Sequence, residues 1–191
     1  MLRMKRRILT MATILVVGAI GLVGCSKEEI KKEAEPFKVS LILTEGGAND
    51  QSFNQSSLEG AMRASKEYGV EVSYLESKQK SDYMSNIETA VDDSDLIIGV
   101  GYEMSEAIKE AAEAYPEQNF AIVDGSFEEI PKNVRPILFN EQEAGYSVGL
   151  IAAKMTKTNK LGFIGGMEIP SVKGFAIGLE QGAKEVNPDI E

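Results

Sequence analysis

The chain has 191 residues, with 20 Lys and Arg against 30 Asp and Glu, a formal net charge of −10 and no histidine. Such an acidic chain is poorly suited to bind nucleic-acid phosphates or anionic membrane surfaces. The lack of histidine excludes the usual general base, the Ser-His and Cys-His nucleophile pairs and most zinc sites.

The first 24 residues have the layout of an export signal. Met1–Arg7 is positively charged, Ile8–Gly24 is apolar and uncharged, and the only cysteine, Cys25, comes next. This order predicts a signal peptide for residues 1–24, and it resembles a bacterial lipobox in which Cys25 is lipidated. We therefore expect acyl chains to hold the protein at the extracytoplasmic face of the cell membrane. The alternative is a plain transmembrane anchor, because the apolar run is just long enough to span a bilayer.

A charged tether over residues 25–37 leads into a region where short apolar runs alternate with amphipathic stretches. The predicted strands are Val39–Leu43, Val70–Leu75, Leu96–Gly101, Phe120–Asp124, Val134–Phe139 and Leu161–Ile164. The predicted helices are Ser52–Tyr68, Asp82–Asp93, Ser105–Tyr115, Glu141–Met155 and Ser171–Val186. This alternation predicts an α/β fold with a Rossmann-like parallel sheet covered by helices on both faces. Asn187–Glu191 indicates a turn into a further strand, so we expect the chain to stop inside a larger fold.

Ligands of open α/β sheets bind beyond the carboxyl ends of the strands. At these ends the sequence places Thr44, Gly46, Gly47, Asn49, Asp50, Phe53, Asn54, Gly101, Tyr102, Glu103, Asp124, Gly125, Gly165 and Gly166. The set suits a neutral polar ligand with a flat ring, because Phe53 or Tyr102 offers a face and the carboxylates accept hydrogen bonds. Structural explanations stay open: the glycines make turns, Phe53 packs at a helix start, and Asp124 caps a turn. Neither G-x-G-x-x-G nor G-x-x-x-x-G-K-[ST] occurs, so no nucleotide fingerprint is present.

The segment Asn49–Ser56 resembles the D-x-S-F-N-Q-S signature of the basic membrane protein (BMP) lipoproteins. These are substrate-binding proteins of ABC transporters, related to the bacterial purine nucleoside receptor. The resemblance is densest in Glu143–Gly149 and Thr156–Gly166 and extends from about Lys38 onward. It implies a type I periplasmic-binding fold, with residues 38–140 as the first lobe and residues 141–191 as the crossover and start of a second. It also implies a nucleoside bound between the lobes and passed to a membrane permease and an ATPase.

The resemblance assigns roles at the strand ends. Together with the strand-end positions, it predicts these ligand-binding residues: Thr44, Asp50, Phe53, Asn54, Gly101, Tyr102 and Asp124; no catalytic residue, metal or cofactor is expected. Phe53 stacks on the base and Asp124 makes a polar contact to it. The sequence departs from the family at Thr44, where members commonly have an aspartate that can hold ribose hydroxyls, because threonine cannot accept two hydrogen bonds from a diol in the same way.

The predicted function is therefore an extracytoplasmic substrate-binding lipoprotein that captures a purine nucleoside for uptake. A diverged surface or regulatory lipoprotein with a lost or different ligand is the alternative, favoured by Thr44 and by the short second lobe. An enzyme, such as a nucleoside hydrolase using carboxylates and Ca²⁺, ranks last because no dense aspartate cluster with metal-ligand spacing occurs.

Overall fold

The computed structural model describes residues 35–125 and 127–191. The predicted signal peptide, Cys25 and nearly all of the predicted tether lie outside these residues. None of the helices in the described part of the chain has the length and apolar character needed to cross a membrane.

Strands and helices alternate along the described chain. The strands are β1 (Lys38–Leu43), β2 (Glu71–Glu76), β3 (Leu96–Val100), β4 (Asn119–Val123) and β5 (Val134–Ile137). The helices are α1 (Phe53–Tyr68), α2 (Asp82–Val91), α3 (Ser105–Ala114), α4 (Glu141–Met155) and α5 (Pro170–Val186). All strand pairings are parallel, in the order β2-β1-β3-β4-β5. The predicted parallel sheet flanked by helices is confirmed.

The core has one apolar cluster on each face of the sheet. Successive side chains of a strand point to opposite faces, so Ile42 joins the cluster under α2 and α3 while Leu41 and Leu43 join the cluster under α1. Beyond β3, α1 no longer covers its face. Ile137 on β5 is 41% exposed there, and a largely apolar groove of about 800 Å³ runs from β1 to β5 beside α1. Within the described residues, helices therefore cover both faces of the sheet around β1, but the face under α1 is left open toward β5.

The predicted sixth strand, Leu161–Ile164, is wrong. These residues form no strand, and Ile164 is 99% exposed. A strand forms when a neighbouring strand satisfies its N–H and C=O groups. Among the described residues only the backbone of Glu191 pairs with this segment: Leu161 N donates to Glu191 O at 2.7 Å, while Glu191 N donates to Asn159 O, just before the segment, at 2.9 Å. The apolar pattern alone could not show that a pairing partner was missing.

Helices α4 and α5 pack backbone against backbone through glycines. The buried glycines at this contact are Gly145 and Gly149 of α4 and Gly174, Gly178 and Gly182 of α5. A Cβ atom built on Gly178 would lie 2.2 Å from the carbonyl oxygen of Gln142, and one built on Gly182 would lie 2.1 Å from that of Tyr146. No side chain fits at either position, so the spacing of these glycines fixes how the two helices cross.

The side chain of Asn133, the residue directly before β5, binds the C-terminal end of α3. Asn133 Nδ2 shares its two hydrogens among the carbonyl oxygens of Ala112, Tyr115 and Gln118, at 3.1, 3.1 and 2.9 Å. The carbonyls of Ala112 and Tyr115 lie at the C-terminal end of α3, where the helix itself leaves carbonyl oxygens without partners, and Gln118 directly precedes β4.

We expect Asn133→Asp to lower the free energy of unfolding by about 2–3 kcal/mol, because a carboxylate would face three carbonyl oxygens, and those of Ala112 and Gln118 would lose the donor that Asn133 supplies. Urea unfolding measures the loss. Asn119→Asp is the matched control, since Asn119 Nδ2 makes one exposed contact, of 3.5 Å, to Asp95 O. An equal loss in both variants would mean that the added charge, rather than the lost helix end, causes the effect.

Candidate ligand-binding site

The carboxyl ends of β1, β3 and β4 bring three predicted site residues side by side. Thr44, Gly101 and Asp124 each lie one residue beyond the end of their strand. The hydrogen bonding between the parallel strands continues as far as these residues, because Gly101 N donates to Val123 O and Asp124 N donates to Ile137 O, both at 2.9 Å. The parallel register therefore produces the juxtaposition at one edge that the sequence predicted.

The side chain of Asn54 ties the start of α1 to the end of β1. It is fully buried, and its Oδ1 accepts hydrogen bonds from both the backbone N and the hydroxyl of Thr44, each at 3.2 Å. Its Nδ2 donates to Thr44 O at 3.4 Å. Both side chains are thus used within the protein, and Asn54 positions the loop that leads to the site.

Asp50 caps the N-terminus of α1. Its carboxylate accepts hydrogen bonds from the backbone N–H groups of Ser52, Asn54 and Gln55 at 2.8, 3.0 and 3.0 Å. Ser52 makes no capping bond with its own side chain. Desolvation acts to raise the pKa of Asp50, but the backbone donors together outweigh it and hold the pKa below its ordinary value of 3.8.

We expect Asp50→Asn to lower the free energy of unfolding at pH 7 and to have a smaller effect at pH 3. The folded-state pKa of Asp50 is lowered, so its stabilisation is present above the unfolded pKa and is lost as the pH falls through the folded pKa. Urea unfolding at the two pH values measures the difference. Asp189→Asn, at an exposed position outside this cap, serves as the control. A penalty that stays the same at both pH values would contradict the capping role.

Two aromatic residues stand at this edge. Phe53 is the first residue of α1, and half of its side chain is exposed, so it is not a buried staple. Tyr102 begins a short 3-10 turn directly after Gly101. Gly101 has φ +97°, a conformation that favours glycine, and this turn keeps Tyr102 next to the strand ends.

Asp124 lies between the sheet and the start of α5. Its backbone is left-handed, with φ +59°. Burial, and then the negative charge of Glu141, raise the pKa of its carboxyl, while a hydrogen bond with Ser171 opposes them. Ser171 is the second residue of α5. The sequence did not predict the proximity of Glu141 and Ser171 to Asp124, because only the path of the chain after β5 brings them there.

Tyr83 is a further residue that sequence reasoning missed. It is buried at the start of α2, with 3% of its side chain exposed, and its hydroxyl donates to Glu45 Oε2 at 2.7 Å. Desolvation raises its pKa most, followed by the hydrogen bond to Glu45 and the charges of Glu45 and Glu103. Despite this gathering of carboxylates, residues 35–125 and 127–191 contain no group of three or more metal-ligating side chains arranged to hold an ion.

Comparison with known proteins gives the site a context. A family profile described as "Bmp: ABC transporter substrate-binding protein PnrA-like" matches residues 37–191. A Lactococcus lactis protein named "ABC transporter nucleoside-binding protein BmpA" is 36% identical over 197 residues, covering 98% of this chain and 56% of that protein. A "CD4+ T-cell-stimulating antigen" of Listeria monocytogenes is 36% identical over 201 residues, with 98% and 56% covered. A crystal structure of an ABC transporter solute-binding protein from Aeropyrum pernix K1 is similar with a TM-score of 0.70 and 34% identity, covering 80% of this chain and 44% of that one.

The parallel sheet, with polar and aromatic residues gathered at its strand ends, has the periplasmic-binding fold of ABC transporter solute-binding proteins. The chain belongs to the Bmp family of PnrA-like ABC transporter substrate-binding proteins. The resemblance seen in the sequence is confirmed, and the family is one of binding proteins rather than enzymes. The chain spans about half of the length of the relatives that it matches.

Proposed function

We propose that this protein is the lipid-anchored, extracytoplasmic binding component of an ABC transporter and that it captures a purine nucleoside for uptake. The observation that carries the proposal is the edge formed by β1, β3 and β4. There, a half-exposed aromatic ring, Phe53, stands at the start of α1, and a carboxylate, Asp124, follows β4. Family membership and the name of the Lactococcus relative, a nucleoside-binding protein, support the choice of ligand.

In this proposal Phe53 stacks on the purine and Asp124 accepts a hydrogen bond from an N–H on the edge of the base. An exposed ring is suited to stacking because every base offers a π-face, and a partly desolvated carboxylate forms a stronger hydrogen bond than an exposed one. Asn54 and Asp50 act indirectly by fixing the loop before α1. Gly101 and Tyr102 complete the wall beside Thr44.

Residues 38–140 form the first lobe in this proposal, and residues 141–191 form the crossover and the start of a second lobe. The crossing of α4 and α5, fixed by close backbone contacts such as that at Gly178, would carry the chain across the cleft. The proximity of Ser171 to Asp124 supports this arrangement, because it places the start of α5 against the proposed ligand edge. Binding between two such lobes proceeds by hinge closure.

Uptake of labelled inosine by the source organism tests the transport role. Deleting the gene should reduce uptake, wild-type protein should restore it, and a Cys25→Ser variant, which cannot be lipidated, should restore less. Undiminished uptake in the deletion strain would contradict the transport role. It would favour the alternative of a diverged surface or regulatory lipoprotein. One observation supports this alternative: the Thr44 hydroxyl already donates its hydrogen bond to Asn54 and so has no hydrogen left for a ligand.

A further inference from the structure

The loop between β1 and α1, residues 44–52, joins two parts of the proposed site. Thr44 stands at its start, and Phe53 follows its end. The loop contains two consecutive glycines, Gly46 and Gly47, and glycine loses more conformational freedom on ordering than any other residue. If the loop were ordered only when a ligand binds, part of the binding free energy would be spent on ordering it. A contact that orders the loop beforehand therefore raises the affinity.

The register of the sheet places Glu76 beside this loop. Glu76 is the last residue of β2 and pairs with Leu43, the last residue of β1. Ser77 N donates to Leu43 O at 3.0 Å, so the two strands stay paired to their ends. Leu75 packs against the cluster under α2 and α3. Because side chains alternate along a strand, Glu76 points to the opposite face of the sheet, where α1 lies.

The carboxylate of Glu76 binds the middle of the loop. Its Oε1 accepts a hydrogen bond from Ala48 N at 2.7 Å. Gly47 leaves room for this approach, because its φ is +67° and an ideal Cβ atom there would lie 3.3 Å from Glu76 Oε1. Asp50 and Asn54 tie the loop to α1 and to the end of β1. Glu76 adds a connection to a different strand.

The backbone that carries Glu76 is itself held in place. Asn86, a residue of α2, donates from Nδ2 to Glu76 O at 3.3 Å and to Ser77 Oγ at 2.9 Å. Ser77 is buried, with 3% of its surface exposed. The exposed carboxylate of Glu76 therefore reaches the loop from a backbone that both β1 and α2 fix.

We propose that Glu76 is a positioning residue for ligand binding, whose hydrogen bond from Ala48 N keeps the β1–α1 loop in one conformation before a ligand arrives. The inference rests on the proposed function, because it assigns a role within the same strand-end site. Glu76 acts through the backbone of the loop and needs no contact with the ligand. The role requires an acceptor atom at this place, and a glutamine side chain supplies one with its own Oε1.

Calorimetric titration of inosine into wild-type protein and the Glu76→Ala and Glu76→Gln variants tests the inference, together with NMR-detected amide exchange at Ala48. Glu76→Ala should weaken inosine binding about 5- to 10-fold, because the loop then has to be ordered on binding without this hydrogen bond. Exchange of the Ala48 amide in the free protein should become about 10-fold faster or more. Glu76→Gln should keep both values within about 3-fold of the wild type, since the acceptor remains.

Glu71→Ala is the matched control, since Glu71 is an exposed carboxylate at the other end of the same strand; it should change neither the affinity nor the exchange at Ala48. Unchanged inosine affinity in Glu76→Ala, or equal losses in Glu76→Ala and Glu76→Gln, would overturn the inference and leave the proposed function standing. Failure of the wild-type protein to bind any purine nucleoside would overturn both.

Discussion

Replacing Phe53 by alanine should weaken inosine binding by about 10- to 100-fold, because stacking of a base on an aromatic ring contributes about 1–3 kcal/mol. The melting temperature should change little, since half of the Phe53 side chain is already exposed and its removal leaves no closed cavity. Calorimetric titration measures the affinity, and thermal unfolding measures the stability.

Tyr68→Ala is the matched control for Phe53. Tyr68 is the last residue of the same helix and is 78% exposed, so its loss removes a comparable ring far from the strand-end edge. Its affinity for inosine should equal that of the wild type. An unchanged affinity in Phe53→Ala would contradict the stacking role, whereas equal losses in both variants would point to a general effect on α1.

A methyl group at Gly178 should disrupt the contact between α4 and α5. The added Cβ would lie 2.2 Å from the backbone oxygen of Gln142, and a backbone atom cannot move away as a side chain can. Overpacking of a close contact destabilises by about 1–3 kcal/mol and occasionally more; we expect Gly178→Ala to reach the upper end. Amide hydrogen exchange should show lost protection in α4 and α5 while the β-sheet stays protected.

Gly60→Ala makes the same substitution inside a helix where nothing lies within 4 Å of the new atom. Because alanine favours the helix more than glycine does, this variant should be as stable as the wild type or more stable, by up to about 1 kcal/mol. Gly178→Ala should lower the free energy of unfolding and Gly60→Ala should not. This difference in sign separates the effect of the helix contact from that of helix propensity. A neutral Gly178→Ala would show that the helices are not held at this distance.

The sequence predicted the helices and the five strands of the sheet to within a few residues, because their signals are local. Buried runs such as Val39–Leu43 and the helical spacing after Ser52 depend only on neighbouring residues. The sixth strand failed because strand formation at Leu161–Ile164 depends on a partner that the local pattern cannot reveal. The sequence likewise could not predict whether Phe53 is exposed, since an aromatic residue at the start of a helix can be either buried or exposed.

The contacts that give the site its chemistry are long-range. The hydrogen bond between Tyr83 and Glu45 joins α2 to the end of β1, and the two residues are 38 positions apart in the sequence, so no local pattern indicates the contact. Similarly, Ser171 meets Asp124 only because α4 and α5 double back. Topology, rather than local pattern, sets these distances.

Calorimetric titration of inosine, guanosine, adenosine and cytidine into the purified protein tests the central claim most directly. The account predicts saturable binding of at least one purine nucleoside at micromolar or tighter affinity, with cytidine weaker because a pyrimidine offers less surface to Phe53. Saturable heat from purine nucleosides would establish a nucleoside receptor. No binding of any purine nucleoside would contradict the account, and the search for a ligand would then begin at Thr44, where the sequence departs from its family.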